Sequence, residues 1–169
     1  MDSYVVEGKN ISFQYQDSSE GIQDIHFSLK PGETILVTGN SGSGKSTFLK
    51  CLNGLIPRVV EGKLQGEILL NHQNTKDMSM AEISRHISSV FQNPRSQFFT
   101  TNTISELVFS MENYGCKKDM MEAQLQKVTA LLKIQKLLNR DIFQLSGGER
   151  QMVAIASAMM LGQKNHPVR

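Results

Sequence analysis

The segment Gly39-Asn40-Ser41-Gly42-Ser43-Gly44-Lys45-Ser46-Thr47 gathers glycines, hydroxyls and one lysine into a single loop. Gly39, Gly44, Lys45 and Ser46 fit the pattern G-x-x-x-x-G-K-[ST], and each residue type has a task in holding phosphate. Gly42 and Gly44 let the backbone curl until successive N–H groups face one centre, an anion nest. A helix starting near Lys45 adds its own free N–H groups and the positive end of its dipole. Lys45 brings a full charge to β- and γ-phosphates. Ser46 offers a hydroxyl to magnesium, and Thr47 one within reach of an α-phosphate oxygen. A chance Gly/Ser turn would reproduce the pattern in roughly one to two per cent of chains this long, and the strand-loop-helix context lowers that further. The loop alone leaves kinases, GTPases, helicases and transporters open. A GTPase would need an N-K-x-D segment to read its base, and the sequence has none.

A second segment, Leu145-Ser146-Gly147-Gly148-Glu149-Arg150-Gln151, opens an apolar helix running through Met152 to Ala158. Ser146 is an N-cap residue and Glu149, three positions on, completes a capping box. A well-capped helix with a tight entry would explain that much. The adjacent Gly147 and Gly148 cost backbone entropy, and make most sense where backbone closely approaches another group, such as a phosphate at a helix start.

Elements must hold these residues in place. Val5-Val6, Ile11 to Tyr15 and Ile25 to Leu29 read as strands, with Ile11, Phe13 and Tyr15 at the period of a half-buried strand. Asp17 to Gly21 and Lys30 to Glu33 are turn chemistry. The apolar run Thr34 to Thr38 leads into the loop and reads as a buried parallel strand. Phe48 to Leu55 is helical, ending near Gly54 and Pro57. Glu67 to Asn71 and Ile87 to Phe91 read as strands, Met80 to Arg85 as a short helix. Thr103 to Tyr114 and Asp119 to Leu138 read as helices, with Leu125, Val128, Leu131, Leu132 and Leu138 as a core-facing stripe. Strands, a glycine-rich loop and helix, then a helical block is the order of an α/β fold with an inserted helical subdomain.

At 169 residues the chain has room for one domain with a core. A hydrophobic share of 39%, a charged share of 20% and a net charge of +2 suit a soluble domain, without a case for nucleic acid or an anionic membrane. Cys51 and Cys116 lie far apart, which favours a reducing setting. His26, His72, His86 and His166 lack the spacing of a zinc site. No signal-peptide pattern opens the chain and its apolar runs are far below the roughly 20 residues needed to cross a bilayer. A role at a membrane would be played from the surface, through a partner.

Together the two motifs carry a family resemblance. LSGGERQ resembles the signature of ATP-binding cassette (ABC) ATPases, GNSGSGKST resembles their Walker A loop, and the separation of about 100 residues is also similar. The resemblance implies a P-loop NTPase: a RecA-like α/β core, an N-terminal antiparallel β subdomain and an inserted helical subdomain, here about residues 103–150 of a single cassette spanning 1–169. It implies ATP and Mg2+ as cofactors and a second cassette as partner, with Ser146, Gly147 and Gly148 contacting the γ-phosphate held by that partner. Tyr15 matches the aromatic that stacks on adenine, a contact worth about 1–3 kcal/mol. Gln92 matches the glutamine that joins magnesium and the attacking water to the helical subdomain. Phe91-Gln92-Asn93-Pro94-Arg95-Ser96-Gln97-Phe98-Phe99 and Ser105 to Phe109 look like the energy-coupling-factor importers of vitamins or transition-metal ions. Leu52 to Pro57 is similar to the first cassette of tandem forms. Residues 93–115 become the expected docking surface for an integral-membrane coupling subunit, at the cytoplasmic face of the membrane. A soluble ABC protein of translation or repair and a truncated remnant with nucleotide binding only are the rival readings.

The family pattern departs at the end. The family continues the signature helix into an apolar strand closing on Asp-Glu, the Asp falling at about position 169 here. The sequence instead reads Gly162-Gln163-Lys164-Asn165-His166-Pro167-Val168-Arg169, and Pro167 with its polar neighbours denies a strand. His166 does not stand in the switch position. The expectation is a C-terminally incomplete cassette that binds phosphate, is poorly stable, and turns over slowly or not at all.

Overall fold

The computed structural model describes residues 4–93 and 96–161. The expectations for Gly162 to Arg169, and for Pro94 and Arg95 in the docking segment, lie outside the described residues. Two compact units divide the chain, one up to Ile87 and one from Ser88 onward.

The first unit is built on an antiparallel sheet. β1 (Val6–Tyr15) and β2 (Gly21–Leu29) form a hairpin, β3 (Gly62–Leu70) and β4 (Gln73–Asn74) complete it, and the order is β2-β1-β3-β4. The two apolar runs read separately at Val5-Val6 and Ile11 to Tyr15 are one strand. Lys9 and Asn10 are successive exposed residues, the register shifts there, and Asn10 takes a left-handed φ of 52°. This bulge resets the two-residue alternation, so that Gly8 and then Ile11 and Phe13 face the same core. β3 passes the bulge at Gly66, where φ is 82° and an added Cβ would lie 2.3 Å from the Asn10 carbonyl oxygen. Only glycine fits so close to a neighbouring backbone.

Helix α1 (Lys45–Leu52) lays Cys51 on this sheet beside Ile11, Phe13, Ile56 and Ile68, and Phe48 meets Phe27 edge to face at 5.2 Å. α2 (Leu55–Arg58) follows at left-handed Gly54, and the Arg58 guanidinium donates to the carbonyls of Thr75 and Met78 at 2.6 and 2.8 Å. α3 (Met80–His86) closes the unit under a Ser79–Glu82 capping box.

The second unit is helical. α4 (Thr103–Asn113), α5 (Lys118–Leu132) and α6 (Gly147–Met160) enclose Leu107, Met111, Val128, Leu137, Val153, Ala156 and Met160. Asn102 caps α4, and the segment before it is pinned by the buried Glu106 carboxylate, which accepts from the Phe99 and Thr100 backbone N–H groups at 3.0 and 2.8 Å.

Four expectations fail. The helix read over Asp119 to Leu138 ends at Leu132, where Lys133 turns left-handed at φ 55°. Thr34 to Thr38 joins no ladder among the described residues, and Leu36 is 84% exposed. An apolar run becomes a buried strand only when neighbours supply both hydrogen bonds and covering faces. Ile87 to Phe91 likewise joins no ladder among the described residues. Leu131 of the predicted stripe is 64% exposed, because α5 turns Val128 inward and leaves that position on the outer side.

Candidate functional site

The first unit assembles the glycine-rich loop from its two flanks. α1 starts on Gly44 at φ 88°, with no side-chain cap and no acidic residue in its first turn. α3, α4 and α6 take side-chain caps from Ser79, Asn102 and Ser146, while α2 and α5, like α1, have none. No side chain caps the α1 start, and its N–H groups follow directly on the glycine-rich loop, where an anion can reach them. A Cβ on Gly44 would sit 2.6 Å from Ile22 Cγ2, so both the positive φ and the β2 neighbour demand glycine.

Lys45 folds back on its own loop. Its Nζ donates to the carbonyl oxygens of Gly39 and Asn40 at 2.9 and 2.7 Å and reaches Ser43 Oγ at 3.3 Å. The Ser43 N–H donates to the Asn40 carbonyl at 3.2 Å, closing the turn through Ser41 and Gly42. A cation is therefore held where the curled backbone and the helix start converge. The charge, the open helix start and the glycine conformations fit a polyphosphate. The exposed Ser46 hydroxyl supplies the hard oxygen that magnesium prefers.

Tyr15 joins the loop through a bond that sequence reading missed. Its hydroxyl lies 2.8 Å from the hydroxyl of buried Thr47, across 32 positions of sequence. Its ring meets Phe13 edge to face at 5.0 Å. It also lines a cleft of about 300 Å³ with Gln14, Gln16, Gly62 and Lys63, at the small end of the range for ligand sites. The strand-end aromatic, the cleft and the phosphate loop are thereby coupled within one unit.

Gln92, Ser146, Gly147 and Gly148 belong to the second unit. Gln92 is exposed on a bend directly after Phe91. Ser146 caps α6 as its sequence implies. The Glu149 carboxylate accepts from the Ser146 N–H and hydroxyl at 2.9 Å each, and Ser146 Oγ accepts from the Glu149 N–H at 3.3 Å. Arg150 adds a bond to the Leu145 carbonyl. Gly147 and Gly148 are exposed, and a Cβ on either would meet nothing within 4 Å. Nothing in their own surroundings requires glycine.

The Ser146 N–H, and then its hydroxyl, hold Glu149 below the usual carboxylate range. A depressed folded value stabilises above the unfolded value and is lost as pH falls through the folded one. Protection of the first α6 amides should therefore persist at neutral pH and decline below about pH 4. Ser146→Ala should cost about 1 kcal/mol and weaken that pH dependence without abolishing it, because the backbone N–H at position 146 still reaches Glu149, as hydrogen exchange would show.

The family model described as ABC transporter matches residues 22–165. A putative ABC transporter ATP-binding protein of Treponema denticola is 46% identical over 153 residues, covering 90% of this chain and 31% of its own length. One from Pyrococcus abyssi is 37% identical over 161 residues, covering 95% of this chain and 58% of its own length. The chain thus spans between about a third and three-fifths of these relatives. The solved structure of cbiO1 from Clostridium perfringens, part of the ABC transporter complex cbiONQ, superposes with a TM-score of 0.82 at 24% identity, covering 96% of this chain and 63% of that one. That likeness shows the P-loop NTPase fold of ABC proteins. With a family model spanning residues 22–165 and its phosphate loop formed, the chain belongs to the ABC transporter family of ATP-binding domains.

Proposed function

We propose that this chain is the ATP-binding part of an energy-coupling-factor-type importer, using ATP and Mg2+ to drive uptake of a small molecule such as a vitamin or metal ion. The observation that carries the reading is the loop itself. Lys45 is held by the Gly39 and Asn40 carbonyls above an uncapped helix start, and Tyr15 is bonded to Thr47 beside a cleft. In this reading Gly39 to Thr47 cradle the phosphates, Tyr15 stacks on adenine, and Ser46 and Gln92 hold magnesium. Bound magnesium supplies charge neutralisation at the phosphates. Lys45 and Gln92 act on the reacting phosphate and water, and Ser146, Gly147 and Gly148 close on ATP held by a second cassette.

Residues 1–169 are part of one cassette in this reading, with about 103–150 as its helical subdomain. Its second cassette is another copy, a different chain or the other half of a tandem; the Treponema relative, about three times longer than the matched part, leaves room for the last. No helix among the described residues is long and apolar enough to cross a membrane. Residues 93–115 are assigned in this reading to an integral-membrane coupling subunit at the cytoplasmic face. Phe99, 76% exposed and stacked on Phe109 at 5.0 Å, supports that surface. Affinity purification from detergent-solubilised membranes tests this. Recovery of an integral membrane protein, lost with Phe99→Asp, is expected, whereas recovery of ribosomes alone would overturn the importer reading.

A further inference from the structure

Thr47 is 7% exposed and stands in the first turn of α1, four residues before the core residue Cys51. A buried hydroxyl normally gives its proton to an acceptor. A helical threonine commonly uses the carbonyl four residues back. Thr129 of α5 does so, its Oγ1 donating to the Leu125 carbonyl at 2.7 Å. Thr47 does not. Among the described residues its Oγ1 has one polar partner, the Tyr15 hydroxyl at 2.8 Å.

In that pair the phenol is the stronger donor, since its pKa of about 10 lies far below that of an aliphatic alcohol. Tyr15 then gives its proton to Thr47 Oγ1, and the Thr47 proton is left over. It lies in the helix turn whose amides lack intrahelical acceptors, directly after Lys45 and Ser46. A phosphate oxygen has the chemistry to accept it. The Tyr15 ring is itself held, packed on the core around Ile11 and Cys51 and edge to face with Phe13 at 5.0 Å. Its hydroxyl therefore keeps a set position beside Thr47.

On the reading of Gly39 to Thr47 as a phosphate cradle, we propose that Tyr15 is a positioning residue for phosphate as well as a surface for the base. By donating to Thr47 Oγ1 it turns the buried threonine into a donor for the nucleotide phosphates. One side chain thereby links the cleft to the loop.

Tripolyphosphate carries phosphates but no base, so stacking on Tyr15 adds nothing to its binding. The full chain is titrated with tripolyphosphate and, separately, with adenosine, each displacing trinitrophenyl-ATP in excess Mg2+. Tyr15→Phe keeps the ring. It should weaken tripolyphosphate binding by about fivefold, within the range of one neutral hydrogen bond, and leave adenosine binding at wild type. Thr47→Val should weaken tripolyphosphate by at least about tenfold, the loss of a bond to a charged group. Tyr15→Phe should then add nothing in the Thr47→Val background, yet still cost about fivefold with Thr47→Ser, which keeps the hydroxyl. Wild-type tripolyphosphate affinity in Tyr15→Phe would overturn the positioning role. So would an equal loss with adenosine, or an undiminished cost in the Thr47→Val background, either of which would mark Tyr15 as merely structural. Wild-type tripolyphosphate affinity in Thr47→Val would sink the assignment of Thr47 to phosphate, and the positioning role with it.

Discussion

Lys45→Ala is expected to weaken ATP binding by about 100-fold while leaving the first unit folded. The size follows from removing a charge-assisted contact of about 1.5–3 kcal/mol together with the only full positive charge in the loop. The fold should survive because Lys45 spends its ammonium on loop carbonyls, while the core beneath α1 rests on Phe48 and Cys51. Lys45→Arg should also fail, since a planar guanidinium cannot replace a compact ammonium that contacts Gly39 and Asn40 together. Calorimetric titration with ATP and Mg2+, paired with thermal melting, checks both halves. Tight binding by Lys45→Ala would place the phosphate elsewhere.

Gly148→Ala should separate stability from function in the opposite direction. The residue lies inside α6 at an ordinary φ, and an added methyl meets open space. Replacing glycine in a helix gains about 0.5–1 kcal/mol, so the melting temperature should rise by about 2 °C. ATP-dependent pairing of two cassettes should nevertheless fall at least about tenfold, because the methyl would stand where the partner's phosphate must approach the backbone. Sedimentation velocity with and without ATP provides the comparison. Undiminished pairing would leave the glycines without the role assigned to them.

What could be read in advance depended on how far each signal reached along the chain. The Ser146–Glu149 box is complete within four residues and stands as its types imply. The loop at Gly44 needs left-handed backbone at one position, which glycine announces locally. Thr34 to Thr38 and Ile87 to Phe91 have strand-like composition, yet a strand is a relation to a neighbour, and no run of five residues contains its own partner. The bulge at Lys9 and Asn10 hid that two apolar runs are one strand, because it breaks the alternation by which strands are recognised. The bond from Tyr15 to Thr47 joins positions with no shared motif.

The ATP site can be located without relying on turnover. Photolabelling with 8-azido-ATP, followed by proteolysis and mass spectrometry, reports which peptide lies against the base. Label is predicted on the cleft beside Tyr15, within Gln14 to Gln16 or Gly62-Lys63, abolished by excess ATP and by Lys45→Ala. Label on a peptide remote from Tyr15, or labelling that persists through excess ATP and in Lys45→Ala, would contradict the assignment of this loop and cleft as one nucleotide site.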